Sequence, residues 1–315
     1  MGFAMVKDDQ MSNTTEFKGV LLENEPMSRH TSWRVGGVAD HFYRPENITD
    51  IASYLKKLDP AEPVYWVGLG SNLLVRDEGI RGTVICTSGV LNNIKQIDAT
   101  RIYVEAGVPS PKLAKFSAKS GLTGAEFLSG IPGTLGGALK MNAGAVGGET
   151  WDIVESVETI DMQGEIHKRT VEDFLVSYRH VEAKDKSNAK EWFVSAIIKL
   201  SAGDVNESLQ TIKKHLNRRS ATQPTQQPNS GSVFRNPEGD YAARLIESCG
   251  LKGFCVGGAC VSEKHANFIV NVGNATARDI SALIIIVHET VLQQHGVDLI
   301  QEVQVVGETK GDEVE

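Results

Sequence analysis

The sequence predicts an α+β protein of two or three domains, and three observations carry that reading. At about 150 residues per domain, a length of 315 gives roughly two units, and the order of elements along the chain allows a third. Short apolar runs of strand length alternate with stretches of helical spacing. Glycine is concentrated: the chain has 31, and nine of the 28 positions from 121 to 148 are glycine. Phe127, Leu128, Ile131, Leu135, Leu139 and Met141 interleave with these glycines. The block therefore reads as buried backbone with close approach to something, and not as a linker.

Taken in order, residues 1–15 have neither a basic start nor an apolar run, and read as a leader rather than a secretory signal, with Met11 as an alternative start. A first unit, 16–90, holds a helix at 48–58 and strands at 64–67, 73–75 and 83–86. A second, 91–205, holds a strand at 102–106, a helix at 111–120, the glycine block, and strands at 154–161 and 192–200. A third, 206–300, begins with a helix at 207–219 and a polar Gln/Pro/Ser-rich bridge at 221–232. Its clearest helix is capped by Thr276 with Asp279 three residues on, and runs through Ile280, Leu283, Ile284, Val287, Val291 and Leu292 to a stop at Gly296. A closing strand at 297–306 puts Asp298, Ile300, Glu302, Gln304 and Val306 on one face, with 301–315 as terminal strand and tail.

With 32 basic against 40 acidic residues, the net charge of −8 argues against a nucleic-acid partner, which needs a basic face. It permits a small anionic ligand, for which a few local donors suffice. The longest apolar run, 282–287, is far short of the ~18 residues of a membrane span, and the chain reads as cytoplasmic. Cys86, Cys249, Cys255 and Cys260 form no CxxC pair and are expected as reduced thiols, with a zinc site at Cys255 and Cys260 as the lesser alternative. No metal-ligand pattern is present.

Two segments can bind anions. Gly68-Leu69-Gly70-Ser71-Asn72-Leu73 follows an apolar strand, as a dinucleotide fingerprint would. The third glycine is missing and 73–75 continues as a strand, so the Rossmann reading fails. What remains fits a glycine hairpin and an anion-binding nest equally well. In the second segment, 129–144, Pro132 and Gly133 set a turn, Thr134 can cap, and a short helix from Leu135 would offer free N–H groups to a phosphate. Two such cradles in adjacent units suit a pyrophosphate held from both sides.

The stretches GLGSNLLVRDEGIRG (68–82) and GLTGAEFLSGIPGTLGGALKMNAG (121–144) closely resemble the FAD-binding half of the UDP-N-acetylenolpyruvoylglucosamine reductases. The resemblance extends from about residue 16 to 307. It takes in His30–Gly37 (HTSWRVGG), Ser177-Tyr178-Arg179, the serine motif NSGSVFRNP at 229–237, 243–253, 261–271, and Ile300-Gln301-Glu302-Val303. Departures are Val181 where Ser is usual, Arg235 for Lys, and Val146 for Tyr. The absence of a long insertion between the arginine and serine motifs matches the shorter family form, without a tyrosine loop.

The resemblance implies a three-domain flavoprotein of the vanillyl-alcohol-oxidase-type (PCMH-type) fold with a C-terminal substrate domain. It implies non-covalent FAD at Gly68, Leu69, Gly70, Ser71, Asn72, Leu73, Gly130, Thr134, Gly136, Gly137, Asn142 and Gly144. NADPH is the implied co-substrate, and an enolpyruvyl sugar nucleotide would contact Tyr178, Arg219, Arg235 and Asn236. An enol ether is electron-rich and accepts hydride only if charge spreads into its carboxylate as an enolate. Arg179 fits as the permanent cation there, Glu302 as a carboxyl kept protonated by burial, and Ser232 as proton donor to carbon. Taken singly, an Arg, a strand Glu and a Ser after Gly are more often structural; their shared motif order carries the functional reading. The alternatives are another FAD-dependent oxidase or dehydrogenase of this fold acting on a sugar or lactone, and a non-catalytic nucleotide-binding module. His265 lies in a matching motif and receives no role.

Overall fold

The computed structural model describes residues 17–188 and 190–309; the expected leader lies outside them, as do the tail residues beyond 309. In the first unit, β1 (Val20–Pro26) pairs antiparallel with β2 (Val38–Arg44). Then come α1 (Ile48–Leu55), β3 (Val64–Val67), β4 (Leu73–Val75) and β5 (Ile80–Cys86). β2 and β3 flank β5 in parallel, giving the order β1-β2-β5-β3. The helix stops at Leu55, short of the expected 58. There Lys57 and Leu58 N–H bond three residues back, to Tyr54 and Leu55, and tighten the chain out of the α-helix.

The second unit has β6 (Ile94–Gln96), β7 (Arg101–Glu105), α2 (Ser110–Lys119), β8 (Leu122–Thr123) and α3 (Leu135–Lys140). Two small hairpin strands follow, β9 (Gly144–Ala145) and β10 (Gly148–Glu149), then β11 (Val154–Ile160), β12 (Ile166–Arg169), β13 (Phe174–Ser177), β14 (His180–Ala183) and β15 (Trp192–Lys199). β16 (Ser201–Ala202) returns to β8. The main sheet runs β12-β11-β15-β7-β6.

α4 (Val205–Thr222) starts before the expected helix because Asp204 caps it, accepting from the N–H groups of Asn206 and Glu207. It packs on α2 and on the turn at 126–130, its Ile212 joins the core of the second unit, and its Ser208 hydroxyl donates to Glu126. The helix with which the expected third unit opens thus packs on the second.

The third unit comprises α5 (Ala242–Ser248), β17 (Cys255–Val256), β18 (Ala259–Val261), β19 (Ile269–Asn271) and α6 (Ala277–His295). Its core also takes in Trp33, Val35 and Leu74 from the first unit, so the two share apolar packing. Cys255 and Cys260 stand opposite each other in the β17–β18 register and are joined as a disulfide. This corrects the expectation of reduced thiols for that pair; sequence spacing does not show that a hairpin sets the two side by side. Cys86 and Cys249 are free.

α6 has the expected capping box and ends at Gly296 in the left-handed conformation. Thr276→Ala should lower stability by about 1 kcal/mol, read as a fall in urea midpoint with unchanged slope. The closing strand is shorter than expected: only β20 (Gln304–Val306) forms a ladder, parallel to β4. Upstream, the extended chain makes a local clasp. Arg235 N–H donates to the Ile300 carbonyl and Glu302 N–H to the Val233 carbonyl, each at 2.8 Å. That clasp fixes Glu302 beside the serine motif.

Candidate active site

A cleft of about 840 Å³ opens where the three units meet. The stretch 68–73 lines it from the first unit, and Gly130, Thr134, Gly136, Gly137 and Gly144 line it from the second. Tyr178, Arg179, Arg219, Ser232, Asn236 and Glu302 line it as well. Trp66 of β3 and Trp192 of β15 stack at 5.4 Å between centroids on its wall, one from each of the first two units.

The two glycine segments touch. A Cβ at Gly68 would lie 2.2 Å from the Thr134 hydroxyl, so glycine is required for the approach. Ser71 Oγ donates to the Pro132 carbonyl at 3.0 Å, Ser230 Oγ to the Ser71 carbonyl at 2.8 Å, and Asn72 Nδ2 to the Glu302 carbonyl at 3.1 Å. Ser71 and Asn72 thus stitch the three units together while lining the cleft. Thr134 stands at the N-cap of α3 without a side-chain capping bond. The first two N–H groups of that helix are also taken, Leu135 by the Val108 carbonyl and Gly136 by that of Ala106.

Room for a cofactor is clearest at Gly137. It lines the cleft, and a Cβ there would meet nothing within 4 Å. A cradle of bare backbone on this scale fits a flat dinucleotide approaching the chain closely. Gly137→Val should therefore fold, because its side chain has space, yet retain little FAD, because that space is the ligand's. Flavin content per chain with an unchanged circular dichroism spectrum checks this; full flavin loading would move the cofactor elsewhere.

At the other end, Arg179 sits in the β13–β14 turn with φ +55°. Its Nη2 donates to the Gly144 carbonyl at 2.8 Å and its Nη1 to that of Asn142 at 3.3 Å. Its Nε lies 3.3 Å from Glu302 Oε1, and the Tyr178 ring lies 4.9 Å from its guanidinium carbon. A guanidinium has five N–H donors, so this arrangement leaves two for a ligand carboxylate. Burial raises the Glu302 carboxyl above its ordinary pKa, outweighing the lowering by Arg179 and Arg235. Ser232 follows Gly231, which has φ +77°; its hydroxyl makes no hydrogen bond among the described residues and borders the cleft.

Two expected ligand residues stand outside the lining. Asn142 is buried, its amide donating to Glu149 and the Ser177 carbonyl while its oxygen accepts from Trp151 N–H, so it braces the cradle. Arg235, expected at the substrate, turns away and donates to the Arg179 carbonyl at 3.2 Å. Asn236 does border the cleft, but its oxygen accepts from Ala242 N–H at the start of α5.

The sequence reading passed over His215, Arg218 and Thr222, which flank Arg219 on one face of α4, and His265 with Phe268 opposite. The i, i+3, i+4, i+7 spacing of 215, 218, 219 and 222 was the available signal. Arg219 bonds Gln223 and has no carboxylate partner among the described residues, and burial lowers its pKa. Among the described residues no acidic, His or Cys group could hold a metal, and no helix is long and apolar enough to cross a membrane.

Residues 223–306 match the family model described as the UDP-N-acetylenolpyruvoylglucosamine reductase C-terminal domain, and 39–170 match an FAD binding domain. The chain is 52% identical to the UDP-N-acetylenolpyruvoylglucosamine reductase of Methylococcus capsulatus, over 97% of this chain and 99% of that one. It is 54% identical to the enzyme of that name from Legionella pneumophila strain Corby, over 94% and 96%. The crystal structure of UDP-N-acetylenolpyruvylglucosamine reductase from Thermus caldophilus superposes with a TM-score of 0.74 at 31% identity, covering 91% of this chain and 98% of that one.

Proposed function

Because the chain belongs to the UDP-N-acetylenolpyruvoylglucosamine reductase family, we propose that it reduces UDP-N-acetylglucosamine enolpyruvate to UDP-N-acetylmuramate for peptidoglycan precursor synthesis, with non-covalent FAD and with NADPH as electron donor. The proposed compartment is the cytoplasm, where NADPH and sugar nucleotides are found. The observation that carries the residue roles is the Arg179–Glu302 pair at 3.3 Å in one cleft with an uncommitted Ser232 hydroxyl.

Bound FAD would supply hydride, taken up from NADPH, to the methylene carbon of the enol ether; the residues of the glycine cradle would hold it. The two spare N–H groups of Arg179 grip the substrate carboxylate, and the fixed cation stabilises the charge that builds there. Glu302, whose protonated form is favoured by burial, donates a hydrogen bond to the same enolate. Ser232 delivers a proton to the neighbouring carbon, completing addition of H⁻ and H⁺ across the double bond. Arg219, with no acidic partner among the described residues, supplies positive charge toward the sugar-nucleotide part.

The purified protein is expected to be yellow and to release its flavin on acid denaturation. It should oxidise NADPH in proportion to added enolpyruvyl sugar nucleotide, giving a product heavier by two hydrogens. NADPH oxidation that consumes oxygen at the same rate without that substrate would instead favour an oxidase of the same fold.

A further inference from the structure

Arg235 is a charged group set behind the cleft wall. It was expected to contact substrate, yet it stands outside the lining, and its Nε is buried without a hydrogen-bond partner among the described residues. An arginine kept in that condition carries an uncompensated desolvation cost, so its retention calls for a physical reason. Its surroundings supply one. Its Nη2 donates to the carbonyl of Arg179 at 3.2 Å, and Arg179 is a bulky residue in the left-handed region, which persists only where neighbours over-determine it. The backbone N–H of Arg235 also donates to Ile300, half of the clasp that fixes Glu302. One residue therefore grips both partners of the Arg179–Glu302 pair, from the side away from the substrate.

We propose that Arg235 is a positioning residue of the reaction, its guanidinium holding the Arg179 peptide in place and its charge acting on Glu302 from behind the cleft wall. Two charged groups act on Glu302: Arg179 from the β13–β14 turn and Arg235 from the clasp. The side-chain amides of Asn72 and Gln304 meet only its backbone carbonyl and carry no charge. Removing a nearby cation disfavours the carboxylate form, so loss of Arg235 leaves Glu302 protonated to higher pH. The inference rests on the roles given above to Arg179 and Glu302.

The test is the pH profile of substrate-driven flavin reoxidation in flavin-loaded enzyme, for Arg235→Met, Arg235→Gln and Arg235→Lys. Arg235→Met should retain its FAD, lose up to about tenfold in rate through the lost hydrogen bond, and move its alkaline limb to higher pH. Arg235→Gln, which keeps a donor and loses the charge, should move the limb as far with a smaller loss of rate. Arg235→Lys should keep the limb of the parent. Should the Met variant fail to accumulate, the Gln and Lys pair still decides. A limb that stays in place for Gln, or moves equally for Gln and Lys, overturns the proposal, because a packing role would not discriminate by charge. Glu302→Gln separates the premises: it should abolish the limb, and a limb that survives there refutes the assignment of Glu302 itself.

Discussion

Ser232→Ala is expected to lower turnover by roughly 10²–10⁴-fold, the contribution of a placed general acid, while FAD content and NADPH-driven flavin reduction stay at the level of the parent. The Ser232 hydroxyl makes no bond among the described residues, so its removal breaks no internal hydrogen bond. The product is a weak carbon acid, so its enolate is strongly basic at carbon, but protonation there is slow unless a donor is placed on one face; bulk water replaces a placed hydroxyl poorly in a cleft walled by three units. If hydride transfer is reversible, an unprotonated enolate returns its hydride, and net reoxidation slows with turnover. A serine serving only the turn after Gly231 predicts some loss of stability and nearly full turnover per flavin-loaded chain. Stopped-flow reoxidation normalised to bound FAD separates the two; a loss under about tenfold would remove Ser232 from the mechanism.

Arg179→Met is expected to slow the same step by about 10²–10³-fold, as for loss of one preorganised electrophile. It takes away the cation proposed to receive the enolate charge, and it leaves the Gly144 and Asn142 carbonyls without their donor. Part of the effect is therefore loss of the cradle's brace, and Arg179→Lys helps apportion it, since lysine keeps charge but not the planar fork. Reduction of the flavin by NADPH should continue in both variants. A rate equal to the parent's in Arg179→Met would show that other groups stabilise the enolate.

The sequence made the glycine cradles legible because their signal is local: spacing, turn residues and interleaved apolar positions are set within a few residues. The α6 boundaries were legible for the same reason, through Thr276, Asp279 and Gly296. What it hid was tertiary. Whether a polar side chain faces a ligand or the protein depends on what packs behind it; Asn142 is spent on Glu149, the Ser177 carbonyl and Trp151, and Arg235 points at the Arg179 carbonyl. The Cys255–Cys260 pairing depends on hairpin register. The end of the chain reads as one strand by alternation, and becomes a clasp and a short ladder because two different neighbours, the 233–235 segment and β4, compete for it. Arg179, Ser232 and Glu302 came from motif order, and the fold brings all three to one cleft.

The central claim is that this cleft passes electrons from NADPH through bound flavin to an enolpyruvyl ether. The direct test is anaerobic stopped-flow absorbance: the bound flavin is bleached with one equivalent of NADPH, then mixed with the enolpyruvyl sugar nucleotide. The account predicts that the visible flavin band returns without oxygen, with one molecule of lactyl ether formed for each flavin reoxidised. A flavin that stays bleached until oxygen is admitted would contradict it.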